Sequence, residues 1–111
     1  MSSKQNIVRL LKARLRRAEY HNRLSESNYK NGRVYGFGLV VEIAKTAQNA
    51  DTMEASIVKR LKKARRPKMV SGHTKGFISA LLEALALIEE QRDETQAETI
   101  LTTEESTVPS S

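Results

Sequence analysis

Apolar residues recur at helical spacing in four segments of the chain, and this pattern predicts four α-helices. The first segment, residues 4–24, contains no Gly or Pro and gathers its apolar side chains on one side of a helix. The third, residues 51–66, has the same one-sided pattern. The second and fourth, residues 34–48 and 71–92, carry apolar residues over more than half of the circumference, which predicts that both are buried on two sides.

Turn and capping residues set the expected boundaries of these helices. Residues 25–32 are rich in turn formers and close on an Asn-Gly pair, which predicts a connector. Asp51, followed three positions later by Glu54, resembles a capping box that starts the third helix. Pro67 is expected to end that helix, because proline restricts the residue before it. Ser71 is the expected N-cap of the fourth helix.

A short motif recurs at the start of the two broadly apolar helices. Residues 32–37 read Gly-Arg-Val-Tyr-Gly-Phe and residues 72–77 read Gly-His-Thr-Lys-Gly-Phe, forty positions later. Basic and apolar positions of the first helix also match those of the third at an offset of fifty. These echoes predict an all-α four-helix bundle built from two similar helical hairpins, 4–48 and 51–93, with the apolar helices at the centre and the basic helices beside them.

The glycines of the motif have two interpretations. Gly36 and Gly76 would permit close approach of the central helices where these helices start, or they merely help a helix to begin after a turn. The breadth of the apolar surface on both central helices leaves homodimerisation as another way to cover it.

The length of 111 residues predicts one domain. We expect a helical domain over residues 1–93. Residues 94–111 are polar, acidic and poor in large apolar side chains, so this segment is predicted to be a disordered tail.

Charge is divided unevenly along the chain, whose net charge is +6. Residues 1–75 contain 18 Lys and Arg against five Asp and Glu, whereas residues 76–111 contain one basic residue against eight acidic ones. A basic body with an acidic end predicts a polyanionic partner, with the tail as a competitor for the same surface. The other interpretation is that both charged regions serve solubility.

Two clusters of basic residues lie on the polar faces of the first and third helices, and they are the predicted binding residues. Few acidic residues are interleaved with them, and two interpretations stay open: contact with the phosphates of DNA or RNA or with an acidic protein surface, or a solvated face. The residues are Arg9, Lys12, Arg16, Arg17 and Arg23 in the first cluster and Lys59, Lys62, Lys63, Arg65, Arg66 and Lys68 in the second.

Two polar residues of the first helix fall inside its apolar arc. Arg14 is one of them, and a charge in that position requires a partner or a route to water. We therefore expect Arg14 either to pair with Glu42 or Glu83 or to mark an interface. His21 is the other.

Signatures of catalysis and of metal or cofactor binding are scarce. The chain has two histidines and no cysteine, and neither a zinc-protease spacing nor a phosphate-binding or dinucleotide-binding glycine pattern occurs. We expect a protein that is not an enzyme and that needs no cofactor or metal. No signal-peptide pattern or long apolar run occurs, so the expected location is the cytoplasm and no membrane contact is predicted.

Two weaker patterns concern function. Residues 43–61 resemble a helix-turn-helix, but Glu54 stands where an apolar residue belongs unless the turn is lengthened, and no Gly occupies the turn. Residues 76–90, Gly-Phe-x-x-Ala-Leu-x-x-Ala-Leu-x-Leu-Ile-Glu-Glu, resemble the closing helix of many small phage and prophage proteins of unassigned function. That resemblance implies an alternative to nucleic-acid binding: an inhibitor or adaptor that binds a host protein, such as a nucleic-acid-processing or defence enzyme.

Overall fold

The computed structural model describes residues 3–107 of the chain, with side chains described from Lys4 to Arg92. Within that range the fold is all-α, with four helices and no strand, as the sequence predicted. The helices are α1 (Ser3–Leu24), α2 (Asn28–Thr46), α3 (Ala50–Ala64) and α4 (Gly72–Thr107).

Helix α2 begins earlier than expected and absorbs part of the predicted connector. Ser27 is its N-cap, and the Ser27 hydroxyl accepts a hydrogen bond of 3.1 Å from the backbone N–H of Lys30. The Asn-Gly pair that predicted a turn therefore lies inside the helix. Tertiary contact overrides the local signal, because Gly32 is buried against α4.

Capping of α3 differs from the prediction. The residue that caps α3 is Asn49, whose side-chain oxygen accepts from the Thr52 N–H at 2.9 Å, so Asp51 is not the cap. Asp51 and Glu54 instead bind Arg92 of α4, at 2.7 Å and 2.8 Å. Both acidic groups of the first turns of α3 thus tie this helix to α4.

Helix α4 ends later in the chain than the sequence predicted, and this is the largest difference at any helix end. Its backbone is helical to Thr107, whereas the sequence predicted an end near residue 92 and a disordered tail over residues 94–111. No Gly or Pro interrupts residues 93–107, and Glu, Gln and Ala are good helix formers. The polar composition predicted that the segment has no core to pack against, but it does not forbid a helical backbone. Residues 108–111 of the predicted tail lie outside the described residues.

The four helices form two antiparallel hairpins whose second helices pack on each other. Helix α1 packs on α2, and the Asn22 amide donates to the Asn31 side chain at 2.7 Å near their connection. Helix α3 packs on α4 in the same way. Helices α2 and α4 run in the same direction and make the most extensive interface, whereas α1 and α3 make only slight contact with each other.

The core lies between these helices and consists of apolar side chains, in agreement with the predicted central position of α2 and α4. None of the polar side chains between residues 4 and 92 is fully buried. The buried apolar residues are Ile7, Leu11, Ala18, Phe37, Val40, Val41, Ala44, Ala47, Met53, Ile57, Leu61, Ala80, Leu81, Ala84, Leu87 and Ile88.

Glycines bring α2 and α4 into backbone contact. A Cβ atom on Gly32 would lie 1.9 Å from the carbonyl oxygen of His73, and one on Gly76 would lie 1.9 Å from the carbonyl oxygen of Tyr29. At Gly36 a Cβ would lie 2.7 Å from the Cβ of Ala80. Of the two interpretations offered by the sequence, close backbone approach is therefore confirmed.

The central helices correspond to each other at an offset of 44 residues, rather than the forty suggested by the repeated motif. Gly32 faces the carbonyl oxygen of His73, and Gly76 faces that of Tyr29. Because Tyr29 and His73 are also 44 positions apart, the two glycines occupy equivalent places. The N-caps agree: Ser71 accepts from the Thr74 N–H at 3.1 Å, as Ser27 does from Lys30. A shift of four residues is about one helical turn, which preserves the helix face. The two motif copies therefore share a face but sit one turn apart.

Glu83 of α4 links three helices through paired arginines. Its two carboxylate oxygens accept from Arg14 of α1 and from Arg33 of α2, each at 2.7 Å. The pairing of Arg14 with Glu83, one of the alternatives predicted from the sequence, is confirmed. Arg33 also donates to the Ser79 hydroxyl at 2.7 Å, and its guanidinium carbon lies 5.2 Å from the centre of the Phe37 ring.

Replacing Glu83 with alanine is expected to lower the free energy of unfolding by about 1–2 kcal/mol, because Arg14 and Arg33 then lose a shared partner. The side chains involved are 41%, 28% and 32% exposed for Arg14, Arg33 and Glu83, so water screens part of the interaction. Urea unfolding followed by circular dichroism measures the change. The matched control is Glu89→Ala, an exposed position on the same helix, where a change within about 0.5 kcal/mol is expected. Equal effects of the two substitutions would contradict a linking role for Glu83.

Candidate nucleic-acid interface

The eleven predicted basic residues are all exposed to solvent. Between residues 4 and 92, the basic side chains that form ion pairs are other ones: Arg14, Arg33, Lys45 and Arg92. Among the predicted residues, Arg9 donates to the Asn6 side chain at 2.6 Å. Half of the acidic residues between residues 4 and 92 are therefore paired with other basic side chains, and the predicted residues present their charge to solvent.

The two basic clusters lie on different helices. The first cluster lies on α1, and the second lies on α3 and on the link that follows it. Helices α1 and α3 make only slight contact with each other.

A groove between the C-terminal end of α2 and the outer side of α3 collects part of the second cluster. Its volume is about 640 Å³. Four basic residues and three hydroxyl groups line it, together with two apolar residues at its floor, and the lining includes no acidic residue. The lining residues are Ile43, Thr46, Ala47, Thr52, Ser56, Lys59, Arg60, Lys63 and Arg66.

Sequence reasoning found three of the four basic residues of this groove, Lys59, Lys63 and Arg66, and missed Arg60. The apolar stripe of α3 shows which side faces the core, but it does not show on which side of α3 the end of α2 lies. The available signal was composition, since residues 59–68 contain seven basic residues and no acidic one. The other predicted residues of this cluster, Lys62, Arg65 and Lys68, lie outside the groove lining.

The electrostatics of α3 are divided along its length. Its acidic groups, Asp51 and Glu54, lie in the first turns and are bound to Arg92. Its basic groups lie in the second half, where positive charge also complements the negative end of the helix dipole. The groove therefore has a positive field that no neighbouring carboxylate of α3 cancels.

The connection between α2 and α3 bears on the helix-turn-helix interpretation. Only residues 47–49 separate the two helices, so the turn is not lengthened. Glu54 is half-buried and bound to Arg92. A recognition helix reads bases with its N-terminal residues, whereas here that end of α3 carries two acidic side chains. The two acidic side chains do not fit base reading by the N-terminus of α3.

Both histidines of the chain, His21 and His73, are exposed. Within the described residues, no group of three or more His, Cys, Asp and Glu side chains is placed to hold a metal ion. A search of the same residues finds no helix with the length and apolar character needed to span a membrane.

Comparison with known proteins gives no relative: no protein-family model, no curated protein and no solved structure matches the chain.

Proposed function

We propose that this chain is a non-enzymatic nucleic-acid-binding protein that holds the phosphate backbone in the groove between α2 and α3. The observation that carries the proposal is the groove lining, in which Lys59, Arg60, Lys63 and Arg66 converge with three hydroxyl groups and without a carboxylate. Each basic side chain that neutralises a phosphate releases condensed counterions, which drives binding independently of sequence. The Ser56 hydroxyl supplies a neutral donor to a phosphate oxygen, whereas the hydroxyls of Thr46 and Thr52 already donate to the Glu42 carbonyl oxygen and the Asn49 side chain.

The chemistry of the groove favours duplex backbone over single strands. Recognition of single strands relies on aromatic side chains that stack on bases, and the groove lining contains none. The exposed tyrosines Tyr20, Tyr29 and Tyr35 lie elsewhere on the surface. Binding through backbone contacts is expected to show little sequence preference.

The cluster on α1 provides a second contact surface in this proposal. It lies on a different helix from the basic residues of the groove.

The test is binding of the full chain to a short duplex across a salt series, measured by fluorescence anisotropy. Four phosphate contacts in the groove predict a slope of about −3.6 for the logarithm of the binding constant against the logarithm of salt concentration. The same measurement with a single strand of equal length is expected to give weaker binding. Absence of duplex binding at low salt would contradict the proposal.

A second candidate function, binding to a host protein, is favoured by an exposed apolar surface near the start of α4. The Tyr35 ring lies 5.6 Å from the Phe77 ring and 5.9 Å from the His73 ring, and Tyr35 is 61% exposed. Met69, in the link that leads to α4, is 91% exposed. Aromatic residues and methionine are enriched at protein interfaces.

A bacterial lysate treated with nuclease distinguishes this candidate from the first. A protein retained by the wild-type chain and lost with Tyr35→Ser would support a protein partner. Loss of every partner after nuclease treatment would contradict it.

A further inference from the structure

We propose a second anion site, specific for a phosphate monoester, in a cleft between α1 and α2 that is separate from the groove of the proposed function. The cleft has a volume of about 240 Å³. It is lined by Arg14, Arg17, Ala18, His21, Lys30, Arg33 and Glu83. Four basic groups from two helices thus converge on one concave surface that holds a single carboxylate.

The arginines at the base of the cleft are held in place before any ligand arrives. Glu83 binds Arg14 and Arg33 at 2.7 Å each, and Ser79 accepts a further 2.7 Å hydrogen bond from Arg33. The Lys30 ammonium is also fixed, since it donates to the Ser25 carbonyl oxygen at 2.8 Å. A guanidinium has five N–H donors, so both arginines retain donors that Glu83 and Ser79 do not use.

Arg17 adds a positive charge to the cleft beyond those of the two arginines that Glu83 binds. It is exposed, lines the cleft and forms no ion pair with any described acidic side chain. A ligand held between Arg17, Lys30 and the unused donors of Arg14 and Arg33 would contact four basic groups. It would not need to contact the Glu83 carboxylate.

The size and donor set of the cleft indicate the class of ligand. Pockets for drug-sized molecules measure about 300–1,000 Å³, so this cleft suits one compact group rather than a whole nucleotide. A phosphate monoester presents three terminal oxygens and a charge of about −1.5 to −2 at pH 7. Arginine matches such a group through paired N–H donors. A phosphodiester within a chain offers two such oxygens and a single charge, and it requires a groove that is open at both ends.

The experiment is a titration of the isotope-labelled full chain with inorganic phosphate, followed by NMR at constant ionic strength, with chloride as the balancing anion. Saturable shifts around the cleft are expected. Arg17→Ala and Lys30→Ala are each expected to weaken binding about tenfold, because each substitution removes a charge-assisted hydrogen bond to the phosphate group. The matched control is Arg16→Ala, which removes the neighbouring exposed arginine that does not line the cleft and is expected to leave binding unchanged.

A comparison of two duplexes that differ only in a 5′-phosphate shows whether the phosphate monoester belongs to the end of a nucleic acid or to a small molecule. A preference for the phosphorylated end that disappears with Arg17→Ala assigns the site to nucleic-acid ends, whereas binding of inorganic phosphate and adenosine monophosphate without that preference assigns it to a small phosphate monoester. Either result supports the site. Shifts that do not saturate, or equal losses with Arg16→Ala and Arg17→Ala, would overturn it. Lys59 and Lys63 lie outside this cleft, so replacing both with Glu should leave phosphate binding in the cleft intact. Failure of duplex binding in the groove is therefore distinguishable from failure of phosphate binding in the cleft.

Discussion

Replacing Gly32 or Gly76 with alanine is expected to destabilise the protein by about 3 kcal/mol or more, since each added methyl group would meet backbone rather than a movable side chain. The obstructing atom is a carbonyl oxygen 1.9 Å from the new Cβ in both cases. Relief requires that α2 and α4 move apart, which loosens the contacts of the buried residues Ala80 and Ala84 as well.

The control for this prediction is Gly38→Ala on α2. A Cβ at position 38 would meet nothing within 4 Å, so alanine should stabilise the helix there by about 0.5–1 kcal/mol through its higher helix propensity. Urea unfolding followed by circular dichroism ranks the three variants. If Gly32→Ala and Gly38→Ala shift the unfolding midpoint in the same direction, the close approach of the central helices is contradicted.

Reversing two charges inside the groove is expected to reduce duplex binding far more than reversing two charges beside it. Lys59→Glu with Lys63→Glu removes two predicted phosphate contacts, whereas Lys62→Glu with Arg65→Glu changes the net charge by the same amount on exposed residues outside the lining. Loss of two contacts is expected to lower the magnitude of the salt slope by about 1.8 and the affinity about 60-fold at 0.1 M salt. The outer pair is expected to lose only the several-fold that long-range repulsion causes.

Fluorescence anisotropy with one duplex and a salt series measures both double variants. All four side chains are exposed, and each variant reverses one charge in the last turn of α3, so the two variants should unfold at similar urea concentrations, which separates a binding effect from a folding effect. Equal losses would show that net charge, rather than the groove, determines affinity. An unchanged affinity in the groove variant would contradict the proposed function.

The pattern of apolar residues predicted the fold because packing follows from it. Central positions for α2 and α4 followed from their broad apolar surfaces, and the place of Arg14 in an apolar arc indicated a need for a partner, with Glu83 as one of the alternatives. Both inferences rest on which residues are buried, and the apolar pattern of a single helix is enough to indicate that.

What the sequence did not reveal depends on contacts between helices. The start of α2 was misplaced because the Asn-Gly pair signals a turn locally, while its burial against α4 is a tertiary effect. Asp51 was taken for a cap because the reach of Arg92 across to α3 has no sequence signature. Arg60 was missed from the candidate site for the same reason, since a groove belongs to two helices and the periodicity of one does not define it.

The crossing of the central helices has a consequence for folding kinetics. Gly32 and Gly76 meet across 44 residues of chain, so the contact that joins the two hairpins requires closure of a loop longer than either hairpin turn, with the corresponding loss of chain entropy. Each hairpin leaves an apolar face uncovered until that contact forms. We therefore expect the hairpins to dock late and to unfold together in one cooperative transition, with the glycine crossing as the last native contact to form during folding.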